Sequence, residues 1–119
     1  MVGPSIDFDT VLELSRNEHR RIVLGVLAGH GRTLTINDLS KAIVKHNHGI
    51  PVTDASAELF ESITIELVHV HVPKLADHGL VEYDRERRLV EPTAQFEQVQ
   101  SELSVILEAD PGLEAPVEL

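Results

Sequence analysis

Seven histidines and seven arginines are the residues with the most chemistry to offer in this 119-residue chain, and their spacing limits what that chemistry can be. His69 and His71 stand two residues apart, as do His46 and His48. On a strand each pair would share a face and could chelate a metal ion. On a helix, residues two apart diverge by about 200°, and neither pair is a good chelate. The chain has no His-Glu-x-x-His run, and it has no Cys, which excludes thiolate zinc sites and disulfides. A site shared between two subunits, drawing on His71, His78 and carboxylates, is the form a metal sensor would take here. Solvated or locally satisfied histidines are the simpler reading, and no metal or other cofactor is expected.

Catalysis has no better footing. There is no Gly-rich phosphate loop, and the serines lie at apparent helix caps or on helix faces without a Ser/His/Asp motif. Acid pairs such as Glu58 and Glu61 follow from the abundance of acids. An enzyme is not expected. Six of the seven arginines form two groups: Arg85, Arg87 and Arg88 within YDRERRLVEP, and Arg16, Arg20 and Arg21 at the start of SRNEHRRIVLGVL. Either group could contact phosphates, although the second reads more simply as a solvated helix face.

Charge sets the background for any such contact. Twenty acids against ten bases give a formal net charge of −10, and only three of the bases are Lys. An acidic, Lys-poor, Cys-free chain with few aromatics suits a cytoplasm rich in potassium salt, where screening within about 3 Å at 1 M removes most self-repulsion. The imbalance is concentrated at the end: residues 89 to 119 carry seven acids and no Lys or Arg, leaving residues 1 to 88 with thirteen acids and ten bases. No apolar run reaches the ~20 residues of a membrane helix. The N-terminal MVGPSIDFD lacks the basic-then-apolar order of a secretory leader, so a cytoplasmic protein without membrane contact is expected.

The elements that must position these residues can be read from periodicity and caps. Phe8, Val11 and Leu12 mark a short helix. Ser15 and Glu18 have the spacing of a capping box for a second helix whose Ile22, Val23, Val26 and Leu27 share a face, ending at GHG. TLTI is β-prone, and Asn37 is placed to cap a helix to about Lys45. After the loop HNHGIPVTDAS, Ser56 or Asp54 caps a long segment closed by Gly79. LVEYD and RLVEP then pair around the turn RER, and Thr93 caps a last helix to about Ala109.

The order helix, helix, short strand, helix, helix, hairpin, helix is that of a winged helix-turn-helix, a mainly α fold with a small β hairpin and here an additional C-terminal helix. SRNEHRRIVLGVLAGHG and HVPKLADHGLVEYDRERRLVEPT resemble the small haloarchaeal winged-helix domains of unassigned function, similar in plan to arsenic-repressor-like regulators. The resemblance covers roughly residues 8 to 92, most specifically Pro73 to Asp84. It implies a transcription regulator that lays its third main helix in the major groove, sets its wing on the backbone, and dimerises through its flanking helices. Residues 1–92 are thus expected to form the winged-helix domain, 93–109 a dimerisation helix and 110–119 a flexible acidic tail.

The presumed recognition helix gives a less favourable account. At about 100° per residue, Ile65, Val68, Val72 and Leu75 form one apolar stripe and Phe60, Ile63, Leu67 and Val70 a second, leaving a polar arc of Ser62, Glu66, His69 and Pro73. Base readout needs Arg, Lys, Asn or Gln on that arc, and Glu66 would repel phosphates. The alternation in ITIELVHVHV would also suit a strand; the helix is preferred because Pro73 and PKLADHG fit the family plan. In the last helix Phe96, Val99, Leu103, Ile106 and Leu107 share one face. With little core left to cover, that face is expected at a homodimer interface.

Two readings follow. A DNA-binding transcription regulator adapted to high salt would work through Arg85, Arg87, Arg88, His69 and Lys74. A winged-helix protein-interaction module would instead present Phe60, Ile63, Leu67 and Val70 to a partner.

Overall fold

Asp7 opens the first helix, α1 (Phe8–Leu14), by accepting a hydrogen bond from the Thr10 amide in the computed structural model, which describes residues 6–48 and 52–113. The second helix, α2 (Glu18–His30), is capped by Asn17, whose Oδ1 accepts from the amides of His19 and Arg20 at 2.9 and 3.2 Å. The cap therefore lies two residues beyond the expected Ser15. Ser15 is already taken up in closing α1, where its amide donates to the Val11 carbonyl. Gly31 ends α2 in the left-handed region (φ 59°), returning its amide to Leu27.

Strand β1 (Leu34–Thr35) runs directly into α3 (Ile36–His48). Its start is a reciprocal box rather than the expected Asn37 cap: Thr35 Oγ1 accepts from the Asp38 amide and Asp38 Oδ2 from the Thr35 amide. A 3-10 turn (Val52–Asp54) leads to α4 (Ala57–Glu66), capped by Ser56 through the Leu59 amide. Residues 49–51 of the intervening loop lie outside the described residues.

The ambiguous HVHV stretch is helical, with an irregularity. Leu67–His71 forms a π-turn between α4 and α5 (Val72–Asp77), and the Val72 amide reaches back five residues to the Leu67 carbonyl. Pro73 has no amide donor, and in a regular helix its ring would collide with the carbonyl four residues earlier, so a widened turn just upstream is a physically sensible accommodation. The extra residue rotates everything after it. Ile63, Leu67, His71, Val72 and Leu75 are the buried set, whereas Ile65 and Val70 are about half exposed, at 52% and 48%. Neither stripe drawn on a uniform wheel survives.

Gly79, at φ 79°, closes α5 in a Schellman motif, with Leu80 N–H donating to Leu75 and Gly79 N–H to Ala76. Strands β2 (Val81–Asp84) and β3 (Leu89–Pro92) pair in the register Tyr83 to Val90, and β1 adds to the other edge of β3, giving the antiparallel order β1-β3-β2. The hairpin is thus part of a three-stranded sheet.

The last segment is two helices, α6 (Ala94–Gln98) and α7 (Gln100–Glu108), broken at Val99. Phe96, Val99, Leu103 and Leu107 are buried within the chain's own core, with Ile106 partly so, and α7 packs on α1 and α2. The stripe therefore has an acceptor in its own chain, contrary to the premise of the dimer expectation. Residues 110–113, expected as the start of the tail, make contacts of their own. Asp110 Oδ2 accepts from Arg21 Nε at 2.8 Å, Asp110 Oδ1 accepts from Gly112 N, and Leu113 packs on the core. Residues 114–119 lie outside the described residues. No helix is long and apolar enough to cross a membrane among the described residues.

Candidate nucleic-acid interface

The wing and the helical segment that runs from α4 through the π-turn into α5 meet at a groove of about 410 Å³ lined by Val68, His69, Pro73, Tyr83, Arg85 and Arg88. Each lining side chain reaches it for a local reason. The π-turn sends His71 inward and leaves His69, two residues earlier, exposed on the outer side. Tyr83 shares the face of Val81 on β2 and carries the sheet's inner face out towards the wing. Asp84 Oδ1 accepts from the amides of Glu86 and Arg87, which folds the turn back on itself. Arg88 then completes the turn at φ 57°, the one non-glycine residue with positive φ among those described. Its carbonyl accepts from the Ile36 amide at 3.0 Å, fixing the wing to the start of α3.

Two guanidiniums, an imidazole and a phenol line this groove, and among the described residues no carboxylate does. Arg85 and Arg88 form no ion pair among the described residues. Guanidiniums with unclaimed donors match a phosphate oxygen in charge and geometry. A non-glycine residue in the left-handed region costs on the order of 1–2 kcal/mol, and such strain clusters at functional sites.

Arg87 and Lys74 part company with the other candidates. Arg87 turns to the opposite face of the hairpin, with Thr33, Glu82, Asp84 and Glu91, and lies near Asp84 at 3.9 Å. Lys74 pairs with Glu13 of α1 at 3.6 Å. Of the five residues proposed to touch DNA, the groove brings together Arg85, Arg88 and His69. Glu66 is not among its lining residues: Glu66 Oε1 accepts from His71 Nε2 at 2.7 Å on the side facing α2. Of the four side chains offered to a protein partner, Ile63 and Leu67 are core, Phe60 is half-buried and only Val70 is exposed.

The model of a family described as a domain of unknown function, DUF7344, matches residues 12–91. The chain belongs to this family. The match runs from within α1 into β3, so it takes in the whole groove, while α6 and α7 lie beyond it. No curated protein and no solved structure shows significant similarity to the chain.

Behind the groove, the DUF7344 domain buries polar groups that sequence reasoning passed over. Arg20, read from sequence as a solvated residue, is 8% exposed; its Nε donates to the Leu14 carbonyl at 2.8 Å and Nη1 lies 3.4 Å from His71 Nδ1. Arg21 ties three segments together, donating to Asp110 and to the carbonyls of Ser15 and Arg16. His71 is 1% exposed, and burial holds its pKa below the usual imidazole value despite the hydrogen bond to Glu66. The imidazole is therefore neutral at pH 7. Tyr83 had a readable signal in the period-two alternation of VEYD. The meeting of Glu66 with His71 had none, because residues five apart diverge by about 140° on a regular helix.

Proposed function

We propose that this DUF7344 domain is a DNA-binding transcription regulator of winged-helix type, cytoplasmic and adapted to high salt, whose wing groove seats a DNA phosphate. The observation that carries the reading is the convergence of Arg85, Arg88 and His69, with Tyr83, on a groove between wing and recognition helix that no carboxylate of the described residues lines. Such contacts position a protein on the duplex without reading its sequence. The exposed arc of α4 and the π-turn carries Ser62, Glu66 and His69 but no Arg, Lys, Asn or Gln, so sequence preference would be modest or come from DNA shape. Fluorescence anisotropy with fragments of native promoters tests this. Binding that Arg85→Ser and Arg88→Ser weaken, and Arg87→Ser leaves nearly intact, supports the groove; equal loss for all three indicates diffuse charge instead.

The same lack of base-reading side chains, together with the exposed Ile65 and Val70, favours a second reading as a protein-interaction module. Absence of binding to any native fragment at any salt would select it. As to assembly, a homodimer through the flanking helices would use the outward side chains Phe8 and Leu12 of α1 and Val105 of α7, which are exposed, whereas in the expected stripe Phe96, Val99, Leu103 and Leu107 are core and Ile106 is partly buried. Light scattering in molar KCl decides between dimer and monomer.

A further inference from the structure

The geometry points to a divalent transition-metal site, for an ion of the zinc class, formed by His19 Nδ1, Glu66 Oε1 and His71 Nε2. These three ligand atoms all lie within 4.8 Å of one another. Ligands at zinc's bond lengths in a tetrahedral shell stand about 3.4 Å apart. The separations from Glu66 Oε1, 2.7 Å to His71 Nε2 and 3.8 Å to His19 Nδ1, bracket that value. Shifts of about an ångström would complete the triangle.

The surroundings suit ligation. His19 Nε2 lies 2.9 Å from Asn47 Oδ1, an acceptor; the tautomer that places the proton on this nitrogen leaves the Nδ1 lone pair for a metal on the side of Glu66. An outer hydrogen bond that fixes the tautomer of a ligating imidazole is characteristic of metal centres. The two imidazole rings meet edge to face with centroids 5.9 Å apart, as rings converging on one point do. Glu66 has a side chain 44% exposed, which leaves a fourth position open to water. The π-turn itself brings Glu66 and His71 together, and such turns recur at functional sites. Two imidazoles and one carboxylate make a donor set suited to zinc, nickel or iron rather than to calcium or magnesium.

Arg20 sets a condition on this site. When a metal takes Nε2 of His71, the ring proton moves to Nδ1, which Nη1 of Arg20 approaches to 3.4 Å. That contact is long and has to be given up, while the 2.8 Å bond from Arg20 Nε to the Leu14 carbonyl keeps the guanidinium in place.

The test uses the full chain, stripped with chelator and titrated with Zn²⁺, Co²⁺ and Ni²⁺ by calorimetry. Visible absorption follows the cobalt complex, and ¹⁵N imidazole shifts report which nitrogens are bound by zinc. The expected result is one ion per chain, with the shifts assigning His19 Nδ1 and His71 Nε2, and a rise in Tm on saturation. Glu66→Gln, which keeps the size of a half-exposed side chain, should abolish that site and the rise in Tm. Asn47→Ala should weaken it by about 10–100-fold. The proposal is overturned if the wild type binds none of the three ions, or if Glu66→Gln binds them with unchanged affinity and stoichiometry. The cluster would then serve only to join α2 to the π-turn.

Discussion

Replacing Arg88 by glycine separates what that residue does for the wing from what it does for a ligand. At φ 57° its backbone occupies a region costing a non-glycine residue on the order of 1–2 kcal/mol, which glycine does not incur. Glycine gives back roughly 0.5–1 kcal/mol through the greater entropy it loses on folding, so the variant should be as stable as the wild type or more stable by up to about 1.5 kcal/mol. The backbone bond from Ile36 N–H to the residue 88 carbonyl can persist in the variant. Binding should move the other way. A hydrogen bond from guanidinium to phosphate is worth about 1.5–3 kcal/mol, and its loss weakens DNA binding by roughly tenfold to a hundredfold. Thermal unfolding and anisotropy on the same preparation measure both quantities. Arg87→Ser, on the opposite face with its side chain 79% exposed, is the control and should change neither by much. A variant Arg88→Gly that loses stability by more than about 1 kcal/mol, or that binds DNA as the wild type does, would refute the reasoning.

Three further outcomes follow from the packing. Gly79→Ala should destabilise the chain by about 1–2 kcal/mol through its φ of 79° alone, with more lost if Gln95, whose Oε1 would crowd the added methyl, cannot move; Tm reports the change. Leu103→Ala should cost about 2–5 kcal/mol in a monomer because Leu103 is 1% exposed within its own chain, whereas Val105→Glu, 67% exposed, should leave Tm of the monomer unchanged and dissociate a dimer if the flanking helices form it. Asp110 has its carboxyl held below the usual range first by the Gly112 amide and then by Arg21, so its contribution is present above the unfolded carboxylate pKa and is lost as the pH falls from about 4 through the lower folded value. Tm of Asp110→Asn should therefore lie below that of the wild type at neutral pH and converge with it in acid; a constant gap down to pH 2 would contradict the linkage.

The fold was largely legible because its punctuation is local. Gly79 after PKLAD, Thr93 before the last apolar run, and Ser56 before AELF each act within one turn of chain, and the strands on either side of RER carry their own pairing signal. Less was legible where a distant contact decides. Ser15 looks like a cap until α1 is seen to end on it, and the stripe of α6 and α7 looks uncovered until α1 and α2 are seen to pack there. The π-turn is the largest gap. A wheel with a fixed angle per residue cannot anticipate an extra residue at Leu67–His71, so it misplaces both Ile65 and Val70. In the candidate site, His69, Arg85 and Arg88 were identifiable from residue type and position, but which cations face the groove was not. Lys74 and Arg87 each stand next to a residue that lines it, Pro73 and Arg88, and local geometry turns both elsewhere.

The central claim, that the groove seats a phosphate on a protein otherwise strongly acidic, is tested most directly by the salt dependence of DNA binding. Each phosphate neutralised contributes a slope near −0.9 in log K against log salt, so two groove arginines set a limit of about −2. Carboxylates brought near other phosphates require cations to be kept or taken up, which makes the slope shallower still or positive. Anisotropy with native promoter fragments from low to molar KCl should therefore show binding with a slope between about −2 and small positive values, weakened at every salt by Arg85→Ser and Arg88→Ser together. A slope steeper than about −4, or no binding to any fragment at any salt, would contradict the account.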